Sequence, residues 1–168
     1  MPWQAGGANL SGSSAEAGDR PLALTDSLRR QNHSASLLAL RLRDLVDHYQ
    51  GGGDAYRVTL QLTRLHGLLR LHLVDGQNAL HPAMLGSGDA RLGSMAREMQ
   101  EQGGCLAEGF ERFMVRWSSS ALIGSDFATF RAALGEVLDQ IESRIHREDN
   151  ELYPLVDTFG ERGRRHAA

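Results

Sequence analysis

His72-Leu73-Val74-Asp75-Gly76-Gln77-Asn78-Ala79-Leu80-His81-Pro82 is echoed 72 residues later by Arg144-Ile145-His146-Arg147-Glu148-Asp149-Asn150-Glu151-Leu152-Tyr153-Pro154. Both stretches contain Asn, any residue, Leu, an aromatic residue or His, then Pro. One such ending says little, because proline lacks an N–H and disfavours helical backbone in the residue before it, so it commonly closes a helix. Two in register suggest a helical hairpin present twice, each copy closing the second helix of its pair.

Helical spacing continues upstream of both endings. Val58, Leu62, Leu65 and Leu69 lead along one face to His72. Leu134, Leu138, Ile141 and Ile145 lead to Leu152, and Glu148 falls seven residues after Ile141 on the same face. A preceding segment has N-cap chemistry at Thr25-Asp26-Ser27, carries Leu38, Leu42, Leu45 and Tyr49, and is stopped by Gly51-Gly52-Gly53. The second segment opens at Asp54 and is expected to end before Pro82. The third begins near Asp89 and places Met95, Met99, Leu106, Phe110, Phe113 and Trp117 at helical spacing. Its Gly103-Gly104 pair weakens it by about 1 kcal/mol per glycine relative to alanine. The fourth is capped by Ser125 or Asp126 and runs to Pro154.

Almost nothing reads as a strand. Four helices of about 24 to 28 residues, roughly 36 to 42 Å each, with short connections, predict an all-α, up-down-up-down four-helix bundle over residues 23–158. Residues 1–22 are rich in Gly, Ala and Ser without an apolar period and are expected to form a disordered N-terminal arm. Residues 159–168 are expected to be a polar, frayed C-terminal tail.

Bulk composition narrows the class. A chain of 168 residues, 41% hydrophobic and 23% charged, has room for one domain with a real core. A formal charge of -3 carries no electrostatic footprint for nucleic acid. The single cysteine, Cys105, rules out an internal disulfide and fits a reducing compartment. Apolar runs such as Leu37-Leu38-Ala39-Leu40 are too short to span a bilayer, and the first residues lack the basic start and apolar stretch of a signal peptide. A cytoplasmic protein with neither membrane nor nucleic acid among its partners is the expectation.

The twin endings resemble the haemerythrin-like, HHE cation-binding family. Its members carry His-x-x-x-Glu, an apolar residue, an aromatic and Pro at the ends of helices two and four. One histidine from helix one and one from helix three complete a non-haem di-iron centre. The resemblance covers roughly residues 25 to 156. It implies His33 as the helix-one ligand, His72 as the helix-two histidine and Glu148 as the helix-four carboxylate. Gly76 stands where the helix-two carboxylate would be, with Asp75 adjacent. Arg144 stands where the helix-four histidine would be, and Gly103 marks the level of the helix-three ligand. His81 replaces the usual aromatic and would cap the pocket.

The hairpin geometry brings these positions to one level. A turn near residue 52 sets position 72 opposite about position 32, so His33 and His72 share a level with Glu148 and the Gly103-Gly104 pair. A carboxylate on the inner face at 148 costs several kcal/mol unless it is paired or bound to metal. His48 is about 22 Å along the helix from His33. His146 is on the far side of its helix from Glu148, His66 borders the apolar face, and His166 is in the tail.

Two readings follow. In the first, His33, His72 and Glu148, with Asp75 as a further oxygen, hold one iron or other divalent ion with open positions for O2, NO or another small ligand, in a sensing, storage or regulatory role. In the second, Arg144 pairs with Glu148 one turn away and substitutes for the metal's charge, leaving a metal-free regulatory or protein-interaction module. Neither reading contains a nucleophile with a general base, so no enzymatic activity is expected. Phe113 and Trp117 suit the core, or else a homodimer contact.

Overall fold

The computed structural model describes residues 14–167. Four helical rods pack as an up-down-up-down bundle. The first is α1 (Ser14–Asp47); the second is α2 (Gly52–Asp75), continued by a π-helical turn π1 (Gly76–Leu80) and α3 (His81–Leu85). The third is α4 (Ala90–Arg116). A short α5 (Ser120–Ser125) leads to the fourth rod, α6 (Phe127–Arg147), continued by π2 (Glu148–Leu152) and α7 (Tyr153–Ala167). Among the described residues no helix is long and apolar enough to cross a membrane.

Local chemistry sets the rod ends. The turn between the first two rods uses Gly51 at φ 124°, a conformation that side-chain-bearing residues rarely adopt. Asp89 caps α4, its Oδ1 accepting from the N–H groups of Arg91 (2.8 Å) and Leu92 (3.0 Å). Asp126 caps α6 by accepting from Thr129 N–H at 3.3 Å. Replacing Asp89 by alanine leaves two helix N–H groups without that acceptor and is expected to cost about 1 kcal/mol, readable as a lower urea midpoint with unchanged slope.

The two prolines do not end their helices. Pro82 and Pro154 have no N–H to give the carbonyl four residues back, and the chain widens by a π turn immediately before each. His81 N–H then reaches Gly76 O, and Tyr153 N–H reaches Glu148 O, five residues away instead of four. The extra residue in the turn shifts the helical phase. Consecutive side chains therefore point inward, Leu80 with His81 and Leu152 with Tyr153, all buried.

Thr25 does not act as an N-cap, because α1 starts at Ser14. Its buried hydroxyl instead donates to Asp157 Oδ1 at 2.7 Å, beside an Arg29–Asp157 ion pair at 2.6 Å that ties α1 to α7. Of the N-terminal arm expected over 1–22, residues 1–13 lie outside the described residues, and from Ser14 onward the backbone is helical. Ala and Glu in Ser14-Ala15-Glu16-Ala17 are strong helix formers even without an apolar period. The segment 159–168 is likewise helical through Ala167, with Gly160 buried.

Two apolar clusters fill the bundle. The larger takes Ala35, Leu42, Leu62, Leu69, Leu106, Phe130 and Ile141, among others, and is closed at its far end by Ile123 of α5. The smaller joins Leu28, Leu80, Met84, Met99, Leu152 and Tyr153. Between them each rod contributes one level of different chemistry. Asn32 lies between Leu28 and Ala35, His72 between Leu69 and Leu80, Gly103 between Met99 and Leu106, and Glu148 between Ile141 and Leu152. The candidate site is this polar layer.

Candidate functional site

Glu148 is the hub. It opens π2, is 2% exposed, and has both oxygens occupied. Oε2 accepts from His72 Nε2 (2.9 Å), Asn32 Nδ2 (3.1 Å) and the Tyr153 hydroxyl (3.1 Å). Oε1 lies 2.8 Å from Arg144 Nε. That N–H does not point along the contact, so the approach is an ion pair and not an aligned hydrogen bond. Arg144 Nη1 donates to Met99 O at 3.1 Å, so the guanidinium bridges α6 to the α4 backbone.

Electrostatics follow from this packing. Burial pushes the Glu148 carboxyl up, but the hydrogen bond and charge of His72, the charge of Arg144 and the Asn32 amide outweigh it. The carboxyl is held down to about 2 and stays ionised. Burial, then the Glu148 charge and hydrogen bond, push the Tyr153 phenol well above its ordinary value, so it remains a donor.

The proton arrangement around His72 is constrained from both sides. Asp75 Oδ2 only accepts, and it takes Gln31 Nε2–H at 2.7 Å. Gln31 therefore turns its Oε1 to His72 Nδ1, at 3.1 Å. Nε2 faces the Glu148 carboxylate. Both ring nitrogens thus have partners within the layer, with Nε2 donating to the carboxylate.

The other expected ligands have different fates. His33 is exposed and takes no part in the layer. The helix-one position is filled by Asn32, because one residue along a helix turns a side chain by about 100°. Asp75 is half-buried and directed to Gln31, so it joins the layer only through that amide. Gly76 is buried above His81, and a Cβ there would lie 3.8 Å from His81 Nε2. His81 is buried with Nδ1 unpartnered; burial, then the nearby Arg144 charge, lower its pKa, so it is neutral.

Gly103 is packed against the guanidinium. A Cβ there would come within 3.2 Å of Leu73 Cδ2 and 3.3 Å of Arg144 Nη1. The space that a helix-three ligand would use is taken by Arg144. Outside the layer, His66 pairs with Glu111 at 2.8 Å, His48 contacts Asp44, and His146 contacts Asn150.

Three contributors escaped the sequence reading: Asn32, Gln31 and Tyr153. Asn32 left a signal. The series Leu28, Asn32, Ala35, Ala39, Leu42, Val46 has regular helical spacing and is buried throughout. Of the α1 residues that the apolar spacing picks out, Leu42 belongs to this series, while Leu38, Leu45 and Tyr49 are its half-buried flanks.

Among the described residues, no group of three or more His, Cys, Asp or Glu side chains is placed to share a metal ion. What the arrangement does chemically is balance buried charge and satisfy donors across four rods. A family model described as the Hemerythrin HHE cation binding domain matches residues 23–156, spanning all four rods and both π turns. No curated protein matches the chain, and no solved structure does. The match covers most of the chain and agrees with the twin rod ends and the polar layer they build: this protein belongs to the hemerythrin HHE cation-binding domain family.

Proposed function

We propose that this chain is a metal-free, non-catalytic member of its family, acting as a regulatory or protein-interaction module. The observation that carries this reading is the Arg144 guanidinium on Glu148, at the level where the family resemblance expects a cation. The residues present do not fit a metal. At an effective dielectric constant of about 20, a divalent ion about 4 Å from both groups gains roughly 8 kcal/mol from the carboxylate and loses as much to the guanidinium. Both Glu148 oxygens are engaged, Oε1 by the Arg144 guanidinium and Oε2 by three donors, and both His72 ring nitrogens already have partners within the layer. His33, needed for a reduced site, faces solvent. Binding of O2 or NO requires open metal positions and is not part of this reading.

Elemental analysis tests it, on protein purified without chelators and again after anaerobic Fe(II) loading. Substoichiometric iron, manganese and zinc in both samples is expected. Stoichiometric metal that disappears in a His72→Ala variant would overturn the proposal in favour of a reduced metal site.

A further inference from the structure

The outer face of the α1/α2 hairpin carries apolar side chains and cations that the fold does not use. On α2, Tyr56, Leu60, Leu71 and Val74 share one exposed stripe at helical spacing, Tyr56 at 65% and Leu71 at 52% exposure. Gly67 lies on the same stripe between Leu60 and Leu71. A Cβ added there would meet nothing within 4 Å. Glycine is costly in a helix interior relative to alanine, and no neighbour among the described residues requires its small size. On the adjoining α1, Leu37 is exposed on the face it shares with Ser34 and Arg41.

Charge indicates what would lie on this face. Arg30, Arg41, Arg64 and Arg70 are exposed, and none has an ion-pair partner among the described residues. The carboxylates of the same hairpin whose side chains are described already have partners: Asp26 with Arg29, Asp44 with His48, Asp47 with Arg131, Asp54 with Arg57, Asp75 with Gln31. The face is therefore apolar along its middle and cationic at its margins. A second copy set against it would bring arginine to arginine, which disfavours self-association there.

We infer that this face docks an acidic amphipathic helix of a partner protein. The partner's apolar residues run along Leu60, Gly67 and Leu71, and its Asp and Glu residues meet the four arginines. Gly67 is the point of closest backbone approach. The inference rests on the interaction-module reading and supplies the chemistry of its partner.

The test uses the full chain and a fluorescein-labelled, helix-forming peptide with leucines on one face and glutamates on the other, followed by fluorescence anisotropy. Micromolar binding that weakens with salt is expected. Leu71→Glu and Arg64→Glu should each weaken it by about tenfold, in the range of a single interface anchor. Gly67→Leu should lose binding while raising the melting temperature, a combination that a purely structural glycine would not give. Equal affinity for a lysine-substituted peptide, or unchanged affinity in these variants, would overturn the inference. So would a homodimer that Leu71→Glu dissociates, or competition by anionic phosphatidylserine vesicles. Metal content enters none of these titrations. Stoichiometric iron would sink the metal-free reading and leave their outcome distinguishable.

Discussion

Replacing Glu148 with alanine is expected to lower the unfolding free energy by about 3–5 kcal/mol, the range found when one partner of a buried ion pair is removed. The substitution strands Arg144, whose side chain is only 10% exposed, and leaves Asn32, His72 and the Tyr153 hydroxyl without their shared acceptor. In a domain of this size each kcal/mol moves the melting temperature by about 2–4 °C, so a fall of roughly 6–20 °C is expected. Glu148→Gln should recover part of the loss, since an amide oxygen still accepts but carries no charge. The double variant Arg144→Met/Glu148→Leu should lie closer to wild type than Glu148→Ala, because it removes both charges together and fills the space. Urea denaturation of the four proteins checks this. A Glu148→Ala cost below about 1 kcal/mol would mean that the layer is solvated and its pairing structurally unimportant.

The second large effect is on acid stability. Glu148 is held near 2 in the folded protein against an ordinary value of 4.5. A depressed carboxylate stabilises the fold fully above the unfolded value, and that contribution is lost as pH falls from about 4.5 toward 2. At about 1.36 kcal/mol per pKa unit the loss is on the order of 3 kcal/mol. His81 adds an earlier, shallower loss of the same sign. Its folded value lies below 6.5, so the unfolded chain binds the proton more readily and stability declines as pH drops below about 6.5. Urea midpoints measured from pH 8 to 3 should therefore fall in two stages. Glu148→Gln should flatten the lower stage and His81→Phe the upper. A Glu148→Gln profile with the same drop between pH 4.5 and 3 would rule out Glu148 as its source.

The fold was legible because it is written in repetition. Each rod carries an apolar series long enough to bury, and the twin endings at Pro82 and Pro154 fix which helices correspond. The level of the site was legible too, since hairpin geometry sets position 72 opposite position 32 and Gly103 alongside. The ligand on helix one was not. His33 and Asn32 are neighbours in sequence, and only the full buried series from Leu28 to Val46 shows which one turns inward. Nor was the passage of the helices through their prolines, because a π turn depends on whether the widened turn finds packing for its extra residue. Leu80 with His81, and Leu152 with Tyr153, supply that packing.

By itself the sequence determined four helices, their pairing into two related hairpins, and a buried Glu148 with Arg144 one turn before it. Those properties depend on periodicity and local spacing, which neighbours along the chain decide. Only the tertiary structure decided how that carboxylate is satisfied. Asn32, Gln31 and His72 come from two other rods, and the room for Arg144 to reach the α4 backbone depends on Gly103, more than forty residues before it. A buried charge must be compensated, but which groups compensate it is a question of side-chain direction across the core, and that is fixed only when the rods pack.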